Sequence, residues 1–189
     1  MRYKNTIISL GFIAAMGFAA WTALLSYYRP QTITPTQSRH IPDAFMEDVV
    51  AVIMGKQGKP KMKIVTPKMV HYSENDTTQL LAPQLTLYRK SPQPWYITSK
   101  YAKSTQGIDT VDFWEDVVIH HSADTDNPAT LIKTPTLTVH PNEQTADTKD
   151  HITMIQPNTI VKAVGMHADM NTGNINLLSQ ARGEYVPTS

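Results

Sequence analysis

The stretch Trp114–His121, WEDVVIHH, ends in two adjacent histidines and carries two adjacent carboxylates, Glu115 and Asp116. Paired imidazoles hold divalent metals, and paired carboxylates carry glycoside hydrolysis. The spacing argues against both. The surrounding IDTVDFWEDVVIHHSAD alternates as a strand does, and successive strand side chains point to opposite faces. His120 and His121 therefore diverge. A metal pair on one strand needs His-x-His, which the histidines at 40, 71, 120, 121, 140, 151 and 167 never form. The pair reads as surface histidines flanking a strand end. A glycosidase pair comes from separate strands facing one cleft, so Glu115–Asp116 reads as a solvated corner. The chain has no cysteine, which removes thiolate catalysis, disulfides and cysteine-based zinc sites together. His-Glu-x-x-His, Gly-x-Ser-x-Gly, Walker and Gly-x-Gly-x-x-Gly motifs are all absent from the sequence. No catalytic residue, cofactor or metal is expected.

The elements that must carry these residues look like antiparallel strands. Period-two apolar pairs recur at Leu85 and Leu87, Trp95 and Ile97, Val111 and Phe113, Leu137 and Val139, and Ile175 and Leu177. MEDVVAVIM, the turn GKQGKP and KMKIVTPKMVHY read as a hairpin. Nothing beyond residue 43 carries a helical stripe of three turns. TPKMVHY, APQLTLY and TPTLTVH each place a proline where a strand would begin. AKSTQG and ADMNTG each look like a strand turning back through a glycine-containing loop. Repeated strand–turn–strand units predict a sandwich, a jelly roll or a β-solenoid. The 189 residues suffice for one such domain, and 17 Lys and Arg against 16 Asp and Glu leave no basic excess for nucleic acid.

Before the strands, Ile7–Leu25 contains no charged residue. At helical rise it spans roughly 28 Å, close to the hydrocarbon thickness of a bilayer. Arg2 and Lys4 precede it, and Trp21, Tyr27 and Tyr28 mark its far end. It reads as a retained anchor, the rival being a signal peptide cleaved after Ala19. Arg29 and Arg39 nearly match Arg2 and Lys4, but a short basic tail usually stays cytoplasmic, which puts the remaining chain outside. Gly11, Ala15, Ala19 and Ala23 recur every four residues, so one small-residue face is available to pack another membrane helix. The expected organisation is a tail and anchor over 1–28, a polar linker over 29–43 with Pro30, Pro35 and Pro42, and a β-domain over 44–189.

The ordered series of segments resembles the LptC family of lipopolysaccharide export. YSENDTTQLLAPQLTLY is similar to the family's passage from its second strand into its third. PWYITSKYAKSTQGIDTVDFWEDVVI is similar to its W-x-I-x-A-x-x-A block and the L-x-G-x-V turn. LIKTPTLTVHPNEQTADTKDHITM and VKAVGMHADMNTGNINLLSQARGEY are similar to the stretches that end it. Each motif is weak, and the order carries the resemblance. Two positions depart from it, Glu115 where the family has glycine and Ser99 at an Ala-type position.

The resemblance implies an all-β, twisted open β-jelly roll of two antiparallel sheets behind one N-terminal transmembrane helix. It implies a groove for the acyl chains of lipopolysaccharide. It also implies docking to the inner-membrane transporter LptBFG through the anchor and N-terminal edge, and to LptA through the C-terminal edge. The transporter's ATP would supply the energy. Strand phase gives the candidate groove residues as Ile64, Leu85, Leu87, Trp95, Ile97, Val111, Phe113, Val117, Ile119, Leu137, Val139, Ile152, Met154, Ile160 and Met166. The final strands give a candidate partner edge at Gly165, Ile175, Leu177 and Tyr185. From the residues alone, a lipid adaptor, an envelope glycan module and a purely structural subunit all stand. The count of 3 Trp, one of them in the anchor, weakens the glycan reading.

Overall fold

The computed structural model describes residues 41–89, 93–125 and 127–185. The expected anchor, with Gly11, Ala15, Ala19 and Ala23, lies outside the described residues. Chain contacts divide at Arg39, and the unit described below is the second, His40–Ser189. Among the described residues there are strands and no helix, so none is long and apolar enough to cross a membrane.

The strands are β1 (Ala44–Met54), β2 (Pro60–Tyr72), β3 (Thr77–Leu81), β4 (Gln84–Leu87), β5 (Trp95–Thr98), β6 (Tyr101–Thr105), β7 (Thr110–His121), β8 (Thr130–His140), β9 (Thr145–Gln156), β10 (Thr159–Asp169) and β11 (Asn174–Tyr185). All pairings are antiparallel. β3 and β4 both pair with β2, and β5 and β6 both pair with β7. Each of these couples is one strand broken in the middle. The chain is therefore a meander of long strands, with β1 and β11 at its two ends.

A bend crosses every strand at the same level. It is marked by left-handed backbone at Asp48 in β1, Ala82 between β3 and β4, Glu115 and Asp116 in β7, Gly165 in β10 and Gln180 in β11. Bulges of this kind bend a strand and re-aim its side chains. Hydroxyls stitch the same line. Thr66 Oγ1 donates to Leu81 O at 2.6 Å and lies 2.9 Å from Lys68 O. Ser99 Oγ donates to Tyr101 O at 2.7 Å, and Thr134 Oγ1 to Thr136 O at 3.1 Å. Pro67, Pro83 and Pro135 lie on the bend too, where a missing N–H costs no ladder bond. Pro83 precedes β4 as expected from sequence, whereas Pro67 and Pro135 lie in the middle of β2 and β8 and not at strand starts.

The bend divides the meander into two half-sheets. Sheet I holds β4, β5 and residues 117–121, 130–134 and 151–156. Sheet II holds β3, β6 and residues 110–114, 136–140 and 145–148. Their inner faces share one core, with Ile97, Ile119 and Ile132 from sheet I and Phe113, Leu137 and Val139 from sheet II. The result is an all-β, bent jelly roll whose interior is filled by its own side chains.

Candidate functional site

Thirteen of the fifteen expected groove residues, all except Met154 and Ile160, are buried in that core. Met154 is partly buried against it. Ile160 is a correction. It pairs with Ile155, one residue out of phase with Met154, whose partner is Val161. Counting back by twos from Met166 predicts an inward Ile160. The register shift between Val164 and Met166 moves the inward set to Ala163 and Val161.

His121 is a second correction. It is fully buried, against the expected surface position, and its ring centroid lies 4.5 Å from that of Trp95. His120 is exposed and stacks on Tyr96 at 6.1 Å, so the two imidazoles do diverge. Among the described residues no three His, Asp or Glu are grouped to hold a metal. Glu115 and Asp116 lie on the bend inside β7, and Lys100 Nζ meets Asp116 at 2.9 Å and Glu115 at 3.7 Å. That arrangement is an exposed ion cluster on the wall of an open surface groove lined also by Trp114, Lys133 and His151.

Away from the bend, the two half-sheets are fastened by a polar clasp that the sequence did not reveal. Arg89 Nη2 donates to Asp124 Oδ2 at 2.5 Å, with the side chains 3% and 1% exposed. Arg89 Nη1 also reaches Met170 O at 3.4 Å, and Trp95 Nε1 donates to the same carbonyl at 3.0 Å. Met170 follows β10 on the sheet II side, whereas Arg89 and Trp95 belong to the end of sheet I. His121 Nε2 lies 3.1 Å from Arg89 Nη2 and 3.3 Å from Asp124 Oδ2. Burial pushes its pKa below the ordinary histidine value, and the Arg89 charge adds to this while Asp124 opposes it. Asp124 Oδ1 accepts from Asn127 N at 2.8 Å, which shapes the β7–β8 loop around the pair. A φ of +83° favours glycine at Gly173, and a Cβ there would also displace the Asn127 amide. The one sequence hint was the Asx-type turn in ADTDN.

Of the expected partner edge, β11 pairs only with β10 among the described residues. Ile175 and Leu177 are half-buried and cap the core, and Tyr185 is 71% exposed. Gly165 is not at the edge. It sits on the bend in β10, where a Cβ would meet Leu178 Cδ1 at 2.9 Å. At the other end, among the described residues, β1 pairs only with β2 and leaves Phe45, Val50 and Met54 exposed.

The architecture defines a class, a bent antiparallel jelly roll with a continuous apolar interior. The family model described as "Lipopolysaccharide-assembly, LptC-related" matches residues 12–186, and the chain belongs to that family. Membership assigns it to lipopolysaccharide transport in the cell envelope. A solved structure with the same fold is LptH, the LptA-homologous periplasmic component of the lipopolysaccharide transport device of Pseudomonas aeruginosa. It is 9% identical over 67% of this chain and 95% of that one, with a TM-score of 0.53. No curated protein matches the sequence.

Proposed function

We propose that this chain is a non-enzymatic relay that takes lipopolysaccharide from LptBFG in the inner membrane and passes it to LptA. Residues 1–28 anchor it, 29–43 tether it, and the β-domain stands in the periplasm. The acyl chains lodge between the two half-sheets. One observation carries the reading: every strand from β2, at Met62, to β10, at Met166, turns apolar side chains to one shared core, with the buried hydroxyls of Thr66, Thr134 and Thr148 gathered at the bend. A relay for acyl chains needs a shared apolar core of this kind, since each buried CH₂ gains about 0.8 kcal/mol. The interior is filled by its own side chains, so lipid enters only as sheets I and II part. The clasp at Arg89, Asp124 and Met170 is where they separate.

The open edges fit strand addition, in which a partner satisfies the unpaired backbone groups. β1 faces the transporter and β11 faces LptA. Mass spectrometry of the full chain, purified from cells that make lipopolysaccharide, tests the reading. Bound lipid A is the expected finding. A chain that carries only phospholipid or nothing, while folded, would overturn it.

A further inference from the structure

The outer face of sheet I gathers cations, whereas that of sheet II mixes both signs, with Lys103 opposite Asp112 and Lys68 opposite Glu47. Cross-strand partners share a face. On sheet I, Thr153 lies between Lys133 and Lys162, and Lys162 lies opposite Arg182. On sheet II, Thr138 lies between Asp112 and Asp147. The two acids of sheet II are satisfied by neighbours. Thr138 Oγ1 donates to Asp112 at 2.8 Å, and His167 Nδ1 lies 2.6 Å from Asp147. The basic face is not. Among the described residues Lys133, Lys162 and Arg182 have no ion-pair partner, and all three are exposed. Like charges directly opposite one another weaken strand pairing. Lys162 and Arg182 therefore impose a cost that a docked anion would relieve.

Beside these cations runs an apolar row on the same outer face. His120 pairs with Leu131, Leu131 with Ile155, and Ile155 with Ile160. Tyr96, 42% exposed, continues the row across His120. Glu184 lies opposite Ile160 at the β11 edge, and Glu115 and Asp116, which line one groove with Lys133 and Thr153, are paired with Lys100. Cations flanking half-buried apolar and aromatic side chains suit the interface of an anionic bilayer, where headgroup charge and the acyl boundary lie within one layer.

We propose that the outer face of sheet I docks on an anionic lipid bilayer, laying the β-domain against the membrane that anchors it. This rests on the anchored reading above and is separable from it. Docking holds the interior close to the lipid source. It weakens as salt rises, because the cations are exposed and screened.

The chain has no cysteine, so single labels are unambiguous. The full chain is placed in lipid nanodiscs with a headgroup-borne quencher, carrying a fluorophore at Thr153→Cys or at Thr138→Cys. In discs containing phosphatidylglycerol, the label at 153 should be quenched strongly and the label at 138 weakly. Phosphatidylcholine discs should remove the difference. The triple variant Lys133→Gln, Lys162→Gln, Arg182→Gln should lower the docked-to-undocked ratio on the order of a hundredfold at low salt. Its thermal midpoint should not fall, because the changes are exposed and relieve repulsion. Equal quenching of both labels in anionic discs would overturn the docking and leave the anchor standing. So would strong quenching at 153 that ignores lipid charge, or a face that stays remote from lipid and awaits a protein. A chain that joins neither kind of disc would overturn the anchored reading and the docking with it.

Discussion

Arg89 and Asp124 form a buried ion pair at the end of the core away from the bend, 2.5 Å apart and almost wholly removed from water. Two buried charges gain little over apolar residues of the same size, but removing one strands the other. Asp124→Ala should therefore cost about 3–5 kcal/mol, read as a shift in the urea midpoint. Arg89→Met combined with Asp124→Leu should cost less than Asp124→Ala alone. A double variant as unstable as the sum of the two singles would mean that the pair is not coupled.

His121 makes the clasp sensitive to acid. Burial and the Arg89 charge hold its folded pKa below the ordinary 6.5. The unfolded chain thus takes up a proton that the folded chain refuses. Its contribution to stability is complete above the unfolded value and is lost as pH falls below it towards the folded value. Urea midpoints between pH 7.5 and 5.5 should fall, by at most about 1.4 kcal/mol per pH unit for one proton. His121→Gln should flatten that slope. An unchanged slope would show that the imidazole does not titrate on unfolding.

Gly165 tests the bend. Its φ is +77°, and an added Cβ would press on Leu178 Cδ1 at 2.9 Å and Cβ at 3.1 Å. Left-handed backbone alone costs a non-glycine residue about 1–2 kcal/mol. Gly165→Ala should lower the thermal midpoint, and adding Leu178→Ala, which removes Cδ1 but keeps Cβ, should recover only part of the loss. Full recovery would place the whole cost in the contact and none in the backbone.

These sites differ in how far the sequence exposed them. Alternation within each half-strand was legible, and Leu85, Trp95, Phe113 and Val139 point inward as their spacing predicts. Alternation across the bend was not. In β8 the buried set runs Thr130, Ile132, Thr134 and then Leu137, Val139, a change of phase at Pro135. The same change in β10 misplaced Ile160. A left-handed bulge residue need not be glycine, so Asp48, Ala82 and Gln180 gave no signal. The clasp was hidden for another reason. Arg89 and Asp124 are 35 residues apart, and the pairing of β4, β5 and β7 at the end of sheet I brings them together. Two adjacent histidines suggested a surface position, yet strand parity, followed strictly, sends one of any such pair inward.

The two edges should be separable by partner. Deleting β11 should abolish capture of LptA and spare capture of LptBFG. Because Ile175 and Leu177 cap the core, the variant is first checked for its β-sheet circular dichroism. Charged substitutions at exposed Val50 and Val52 in β1 should show the reverse selectivity. Pull-downs of both partners read the result. Loss of both by either variant would mean that the edges do not act separately.

The account stands on acyl chains lying between the half-sheets. Phe113 faces the interior and is 2% exposed, and its neighbour Asp112 faces outward. An aromatic photo-crosslinker in place of Phe113 closely preserves its shape, and the same group at Asp112 serves as the opposite phase. In cells exporting lipopolysaccharide, illumination should yield an adduct from position 113 and none from position 112. Equal labelling at both positions, or labelling at 112 alone, would contradict an interior route.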